Sequence, residues 1–234
     1  MSRKFLWIAL GSVVSICAFF VFEYMSFSFF AVNKGLFCSV IEERNLEEKL
    51  SIPSEQLKQA ANSMIDYVRL WEKDDSLQVT VTKNGTNQDF FTDSEIRLVE
   101  DVRVLMCNIR IVIFCMTGMI ALLLPLFIKK KKSVELCYGY FLSIIILLAV
   151  VLVVAVVAVV DINVFITAFH KLLFDNDGWI MNPAREKIVF FFPDSLYQKV
   201  LARMLVCTIC FFATATGFAV KGIRKKRGCC SVRK

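Results

Sequence analysis

The sequence predicts an all-α integral membrane protein with four transmembrane helices, an external helical domain and an aromatic-rich external loop. Three observations predict it. Apolar residues make up 57% of the 234, with 22 phenylalanines among them, more than a water-soluble domain carries. Four runs, Phe5–Phe22, Ile111–Ile128, Gly139–Val160 and Met204–Val220, come close to the roughly 20 apolar residues that a bilayer crossing requires. The basic residues then gather on one side of those runs: Arg3, Lys4, the run Lys129–Lys132 and seven positions after Val220, opposed there by Glu135 alone.

That asymmetry sets an expected orientation, because short cytoplasmic segments carry the excess of Lys and Arg. Both termini and the tetralysine turn are expected in the cytoplasm. Segment 33–103, with fourteen acids and nine bases, and segment 161–199, with five and four, are expected outside. The chain then divides into 1–32, a first transmembrane helix with an interfacial apron, and 33–103, an extracytoplasmic domain. A second transmembrane helix at 104–128 and a basic cytoplasmic turn at 129–138 lead to a third at 139–160. The external loop 161–199, a fourth transmembrane helix at 200–220 and a basic tail at 221–234 complete it. The net charge of +7 belongs to the inner anchors and suits an anionic leaflet better than nucleic acid.

In chain order, the first run follows Arg3 and Lys4 as a signal peptide would. It is longer than a cleaved core and no small-residue cleavage site follows, so it is expected to be retained. Tyr24–Val32 forms an aromatic apron for the outer interface, with Glu23 at its edge. In the external domain Pro53 suits a first helical turn. Leu57, Ala60, Ala61, Met64, Ile65, Val68 and Trp71 then recur at helical spacing and give one apolar face. Val79 and Val81 alternate into Asn84-Gly85, a hairpin signal; Asn84-Gly85-Thr86 is also a glycosylation sequon, informative only in a eukaryotic secretory pathway. Thr92-Asp-Ser-Glu95 is a capping box. With no breaker before Gly118, the helix it starts is expected to run into the second span.

Nine cysteines do not make a disulfide framework, because only Cys38 falls well inside the external region. Cys207 and Cys210 share redox-motif spacing, but within an apolar helix they read as small packing residues. No P-loop, GxGxxG, GxSxG elbow or His/Cys metal set occurs, so neither a metal nor another cofactor is expected. The spans carry no ionisable residue at their centres, which argues against a channel or transporter.

What chemistry remains is expected at the outer interface. His170 is the only histidine. It lies in DINVFITAFHKLLFDNDGWIMNPAREKIVFFFPDSLY, residues 161–197, where six phenylalanines, Trp179 and Tyr197 are mixed with charges. Aromatic rings with polar neighbours collect at the membrane–water boundary, and Phe190–Phe192 are expected to dip into the leaflet. Near the second span stand Glu95, Arg97, Asp101 and Arg110. On residues alone each has a structural reading: His170 as an interfacial or headgroup contact, Trp179 as an anchor, Arg110 as a snorkelling cation.

FITAFHKLLFDNDGWIMNPAREKIVFFFPDSLY resembles the signature of the lipoprotein intramolecular transacylase family, four-span membrane proteins of Gram-positive bacteria. Its pattern is Phe-His, an aromatic, Trp, Pro and a closing Phe-Pro. FTDSEIRLVEDVRVL resembles that family's other motif, in which a capped helix carries Glu-Ile, then His-Met, then Asp-Val. The similarity covers nearly the whole chain and is most specific over 90–105 and 165–197. It implies transfer of an acyl chain within a diacylated lipoprotein, from the sn-2 glycerol oxygen to the α-amino group of the N-terminal cysteine, at the cell membrane. His170 matches the second of two family histidines. Leu98 and Val99 stand where the first and its methionine fall, and Glu186 stands where aspartate is usual.

An α-amino group has a pKa of about 7.7–8.0, so part of it is neutral near pH 7. A base must take its proton as it attacks the ester carbonyl, and an acid must protonate the departing glycerol oxygen. Imidazole can do both in turn. His170 and Asp101 are therefore the expected catalytic pair, with Asp101 orienting the ring or balancing its charge. Trp179, Arg110 and Glu95 are the expected substrate contacts, for a diacylated lipoprotein and membrane lipid. The competing reading is a non-catalytic relative that binds a lipid or lipoprotein.

Overall fold

The computed structural model describes residues 3–69, 77–83, 85–174, 176–180, 182 and 185–231. Trp71 of the expected apolar face, Asn84 of the turn and sequon, and Pro183 of the loop motif lie outside them. The described chain is helical apart from one hairpin. Helices α1 (Arg3–Phe30), α2 (Lys34–Glu43), α3 (Leu46–Leu50) and α4 (Ser54–Arg69) precede strands β1 (Thr80–Lys83) and β2 (Thr86–Asp89). After them come α5 (Asp93–Lys129), α6 (Ser133–Val160), α7 (Ile162–Leu173), a 3-10 turn (Ile188–Phe191) and α8 (Asp194–Ser231). Four helices are long and apolar enough to cross a membrane, namely α1, α5, the Ser133–Val154 part of α6 and the Asp194–Lys225 part of α8. The chain folds into two compact units.

The first unit comprises Met1–Ser26, Ile111–Ile166 and Met204–Lys234. Its helices are apolar all round and leave most large side chains exposed, among them Phe114, Leu122, Leu148, Val159 and Phe218. In hydrocarbon that is the stable arrangement, since lipid is as apolar as leucine and helices associate through close packing instead. α1 and α6 meet at glycines. A Cβ added to Gly139 would lie 2.4 Å from the Gly11 carbonyl carbon and 2.5 Å from the Ser12 nitrogen. α1 also stacks on α8 through Phe22–Phe211, 4.6 Å between centroids, and Phe19–Phe212, 5.5 Å. Tyr140 of α6 shares a 2.8 Å hydrogen bond with Thr216 of α8. Glu23, expected at a watery edge, instead lies within α1 and pairs at 2.6 Å with the Thr208 hydroxyl of α8.

The second unit comprises Phe27–Arg110 and Thr167–Arg203. α4 buries Leu57, Ala60, Ala61, Met64 and Ile65 on one face, the helical periodicity seen in the sequence, but the next buried residue is Tyr67, while the expected Val68 is half-exposed. The strands pair antiparallel, Thr80 opposite Asp89 and Lys83 opposite Thr86. Gly85 supplies the left-handed turn residue at φ 80°, a conformation that costs glycine nothing. Ion pairs Lys34–Asp66 at 2.5 Å and Lys199–Glu43 at 2.7 Å edge this unit, and Arg69 donates to the Val32 carbonyl.

The capping box forms, and it does more than cap. Glu95 is completely buried. Its Oε2 accepts from the Thr92 amide at 2.7 Å and lies 3.1 Å from the Thr92 hydroxyl, while Oε1 accepts from the Ile188 amide at 2.6 Å. One carboxyl thereby joins the start of α5 to the 3-10 turn nearly a hundred residues later. Beside it Lys187 donates to the Phe90 carbonyl at 2.6 Å and sits over the Phe90 ring. Burial holds the Lys187 ammonium below its usual pKa, and the Glu95 charge opposes that shift. Of the Phe190–Phe192 wall, expected to dip into the leaflet, Phe191 is turned into the protein, while Phe190 and Phe192 stay half-exposed. Phe191 is fully buried and stacks on Phe90 at 5.6 Å, Phe190 lies under Lys49, and Phe192 meets Phe37. The backbone bond to Glu95 fixes the 3-10 turn so that its central ring faces inward.

Gly139→Ala is expected to destabilise the first unit by about 1–3 kcal/mol, because the methyl group meets backbone that cannot swing aside. Thermal unfolding in detergent measures it. Gly118→Ala, where an added Cβ meets nothing within 4 Å, is expected to be neutral or slightly stabilising in the same assay. Glu95→Ala is expected to cost about 2–4 kcal/mol, the loss of a cap plus a buried Ile188 amide left without an acceptor. A loss no larger than that of the exposed Glu55→Ala control would show that the clamp contributes nothing.

Candidate functional site

The site is assembled by α5 and the segment that follows α7. Glu95 and Val99 are the buried positions in this part of α5, facing the interior of the second unit. Ser94, Leu98 and Asp101, at i, i+4 and i+7, occupy the opposite stripe. Together with Arg97 and Glu100 they form one wall of a cavity of about 540 Å³. Asn176, Gly178, Ile180 and Glu186 form the other. Leu98 therefore lines the cavity, one turn from Asp101.

The loop wall is held by short polar contacts. α7 closes with the Phe174 amide donating to the His170 carbonyl at 2.8 Å. The Asn176 side chain then accepts from the Gly178 amide at 2.8 Å through Oδ1 and donates to Asp101 Oδ2 at 2.9 Å through Nδ2. An Asx turn is thus tied directly to α5. Gly178 is needed there, since a Cβ would fall 2.8 Å from the Asn176 oxygen. The Ile180 amide donates to the Asp177 carbonyl at 3.0 Å, and the Asn182 amide to Glu186 Oε2 at 2.6 Å.

This doubling back lays Trp179 on His170. The rings stack 4.3 Å apart at 20°. Phe169 meets the imidazole edge-on at 5.5 Å, and Phe174 is stacked at 6.3 Å. His170 is half-buried, with aromatic rings against its face and its edge. The indole N–H of Trp179 is buried and has no hydrogen-bond partner among the described residues. Native structures rarely tolerate this, because an unmade bond of that kind costs about 1–3 kcal/mol.

The residues singled out from the sequence are placed as follows. Asp101 lines the cavity and is tied to the His170 segment through Asn176. His170 and Trp179 form one stacked pair. Glu95 stands behind the cavity wall with both oxygens engaged. Arg110 lies about 13 Å further along α5 than Asp101, where its guanidinium donates to the Arg69 carbonyl at 3.4 Å. Asn176, the residue that joins the two motifs, was not singled out. Its signal was the Asn-Asp-Gly sequence, a turn composition that says a side chain folds back but not onto what. Among the described residues no group of three or more His, Cys, Asp or Glu is placed to hold a metal ion.

The family model of the lipoprotein intramolecular transacylase Lit matches residues 12–197, well over half the chain and both motif segments. No curated protein matches it in sequence. Among solved structures, the membrane integral lipoprotein intramolecular transacylase Lit from Bacillus cereus is similar over 96% of this chain and 99% of its own, with a TM-score of 0.70 at 20% identity. Two forms of that bacterial protein, in which a histidine is replaced by arginine or by alanine, give TM-scores of 0.71 at 19% identity. They cover 96% of this chain and 93% and 95% of their own. At such identity the structures speak for the fold, and the four spanning helices with their single small hairpin agree with it. Membership rests on the family model: the chain belongs to the lipoprotein intramolecular transacylase Lit family.

Proposed function

We propose that this protein transfers an acyl chain within a diacylated lipoprotein, from the sn-2 oxygen of its glycerol to the α-amino group of the N-terminal cysteine. The observation that carries the reading is the Asn176–Asp101 hydrogen bond. It fastens the segment bearing His170 to the cavity wall formed by the other motif; Asn176, Gly178 and Ile180 of that segment line the cavity, while the stacked His170 and Trp179 rings stand beside it rather than in its lining. His170 takes a proton from the amine as the nitrogen attacks the ester carbonyl carbon. The same imidazolium then returns the proton to the glycerol oxygen as the C–O bond breaks. Asp101, one turn from Leu98, supplies negative charge near the cation that forms.

Trp179 contacts the substrate beside His170. Arg110 reaches a lipid phosphate, with its stem in the hydrocarbon. Glu95 acts through position, holding the 3-10 turn and the start of α5 together. The basic turn and tail put both termini in the cytoplasm and the His170 segment outside, where mature lipoprotein N-termini are. Leu98 stands where the family motif carries a histidine, and it offers neither a proton nor a hydrogen bond. Losing an acid–base partner costs on the order of 10²–10⁴-fold in rate, so the reaction is expected to run, but slowly.

The test uses a bacterial host whose lipoproteins are diacylated and lack N-acylation. On expression of this chain, the mass spectrum of one abundant lipoprotein's N-terminal peptide is expected to show an acyl chain on the cysteine nitrogen and a free glycerol hydroxyl. His170→Ala is expected to abolish that product, and Leu98→His to raise its yield at least tenfold. An unchanged diacylglyceryl peptide with the protein present in the membrane, for the wild type and Leu98→His alike, would refute the enzymatic reading and leave a lipoprotein-binding member of the family.

A further inference from the structure

We propose that the indole N–H of Trp179 is the donor that binds the carbonyl oxygen of the migrating acyl group and holds it as an oxyanion. The proposal rests on the transacylase reading and assigns an atom to a step of it. Its starting point is the one side-chain donor beside His170 that is buried with nothing to bond. An indole nitrogen only donates, so what it lacks is an acceptor. The polar groups of the same loop bond to one another and not to the indole: Asn176 Oδ1 to the Gly178 amide, Asn176 Nδ2 to Asp101 Oδ2, the Asn182 amide to Glu186 Oε2 and the Ile180 amide to the Asp177 carbonyl. Water does not reach the nitrogen either. The acceptor must arrive with a ligand.

Stacking decides which acceptor fits. With the rings 4.3 Å apart at 20°, the indole N–H and the imidazole nitrogens lie in nearly parallel planes. In the proposed step one small group meets both: a tetrahedral acyl carbon presents its oxygen and its amine nitrogen a bond apart from the same atom. As the amine nitrogen bonds to the carbonyl carbon, the π pair moves to the oxygen facing Trp179, and His170 receives the amine proton. When the carbonyl re-forms, the bond to the glycerol oxygen breaks and His170 returns the proton to it. No oxidant or further reactant is required. A neutral donor in a dry site suits a transient oxyanion, since it strengthens as charge develops and needs no reorganisation. The residues that carry Trp179 into place, Asn176, Asp177 and Gly178, are exposed, so the loop can shift to admit the ester.

Trp179→Phe removes the N–H and keeps the stacking ring. With purified protein in detergent and a synthetic diacylglyceryl-cysteine peptide, kcat is expected to fall by roughly 10²–10³-fold, with KM within threefold and the unfolding temperature unchanged or raised. A merely structural tryptophan would show the reverse, lower stability with kcat retained, and a kcat within threefold of wild type overturns the proposal. Indole ¹⁵N–¹H spectra of the wild-type protein give a reading independent of turnover and of the variant's folding. The Trp179 resonance is expected to move downfield when the lipopeptide is added. No movement, or equal movement with phosphatidylglycerol alone, overturns the assignment to the acyl carbonyl. A resonance that moves in a protein that forms no product would sink the transacylase reading and leave the donor standing.

Discussion

The second unit depends on one buried carboxyl. Glu95 accepts from two backbone amides far apart in sequence, at Thr92 and at Ile188. A carboxyl with no exposure is costly unless its oxygens are bonded, and here each oxygen has a short partner. Removing either partner would leave the group uncompensated, so the pairing is strongly enforced. From it follow the inward turn of Phe191 onto Phe90, the seat of Lys187 on the Phe90 carbonyl and the line of the chain from 185 to 192. The cavity beside α5 exists because that chain segment is held against the helix from behind.

The first unit obeys a different constraint. In hydrocarbon a polar side chain must find its partner within the helix or on a neighbour. Ser12, Ser15, Thr117 and Thr214 each donate to a backbone carbonyl three or four residues earlier on their own helix. Tyr140 and Thr208 make the interhelical contacts. Since lipid gives no hydrophobic drive for one helix to seek another, specific packing contacts join them as well, among them the glycine crossing of α1 with α6, the ring stacks of α1 with α8 and the edge contact of Trp7 with Phe127 of α5. The helices show no apolar face because none is needed.

What could be read from the sequence follows from which forces act locally. The four spanning helices, the Thr92–Glu95 box, most of the α4 face and the strand pair around Gly85 are set by composition, periodicity or turn chemistry, and they formed where those signals stood. The partners of Phe190–Phe192 were not legible. A run of aromatic residues is equally at home against lipid or protein, and only the Glu95–Ile188 bond, whose acceptor stands on another element, decides between them. The same limit hid Asn176 and the buried face of Glu95. His170 was found because it is alone, and Trp179 because it shares the motif, but their stacking depends on a loop whose closure passes through Asp101. Single residues of the candidate site were visible. Their mutual geometry was not.

That geometry bears on how a site with one imidazole can work. In the proposed reading His170 must serve as base and then acid, and this order is chemically sound because the proton it takes is the proton it later returns. What one ring cannot also do is hold the oxygen on which charge accumulates. Leu98 does not hold it, being a hydrocarbon wall, and Asp101 cannot, since a carboxylate repels an oxyanion. The stacked indole is a neutral donor beside the imidazole, and a well-placed donor contributes about 10²–10³ in rate. An absent acid–base partner costs about 10²–10⁴. The two magnitudes overlap at the lower end. The pattern that this chain resembles carries the tryptophan beside both histidines, so the indole does not replace the imidazole that Leu98 lacks; in the proposed reading the reaction runs slowly, with His170 and the Trp179 N–H as the groups that carry it.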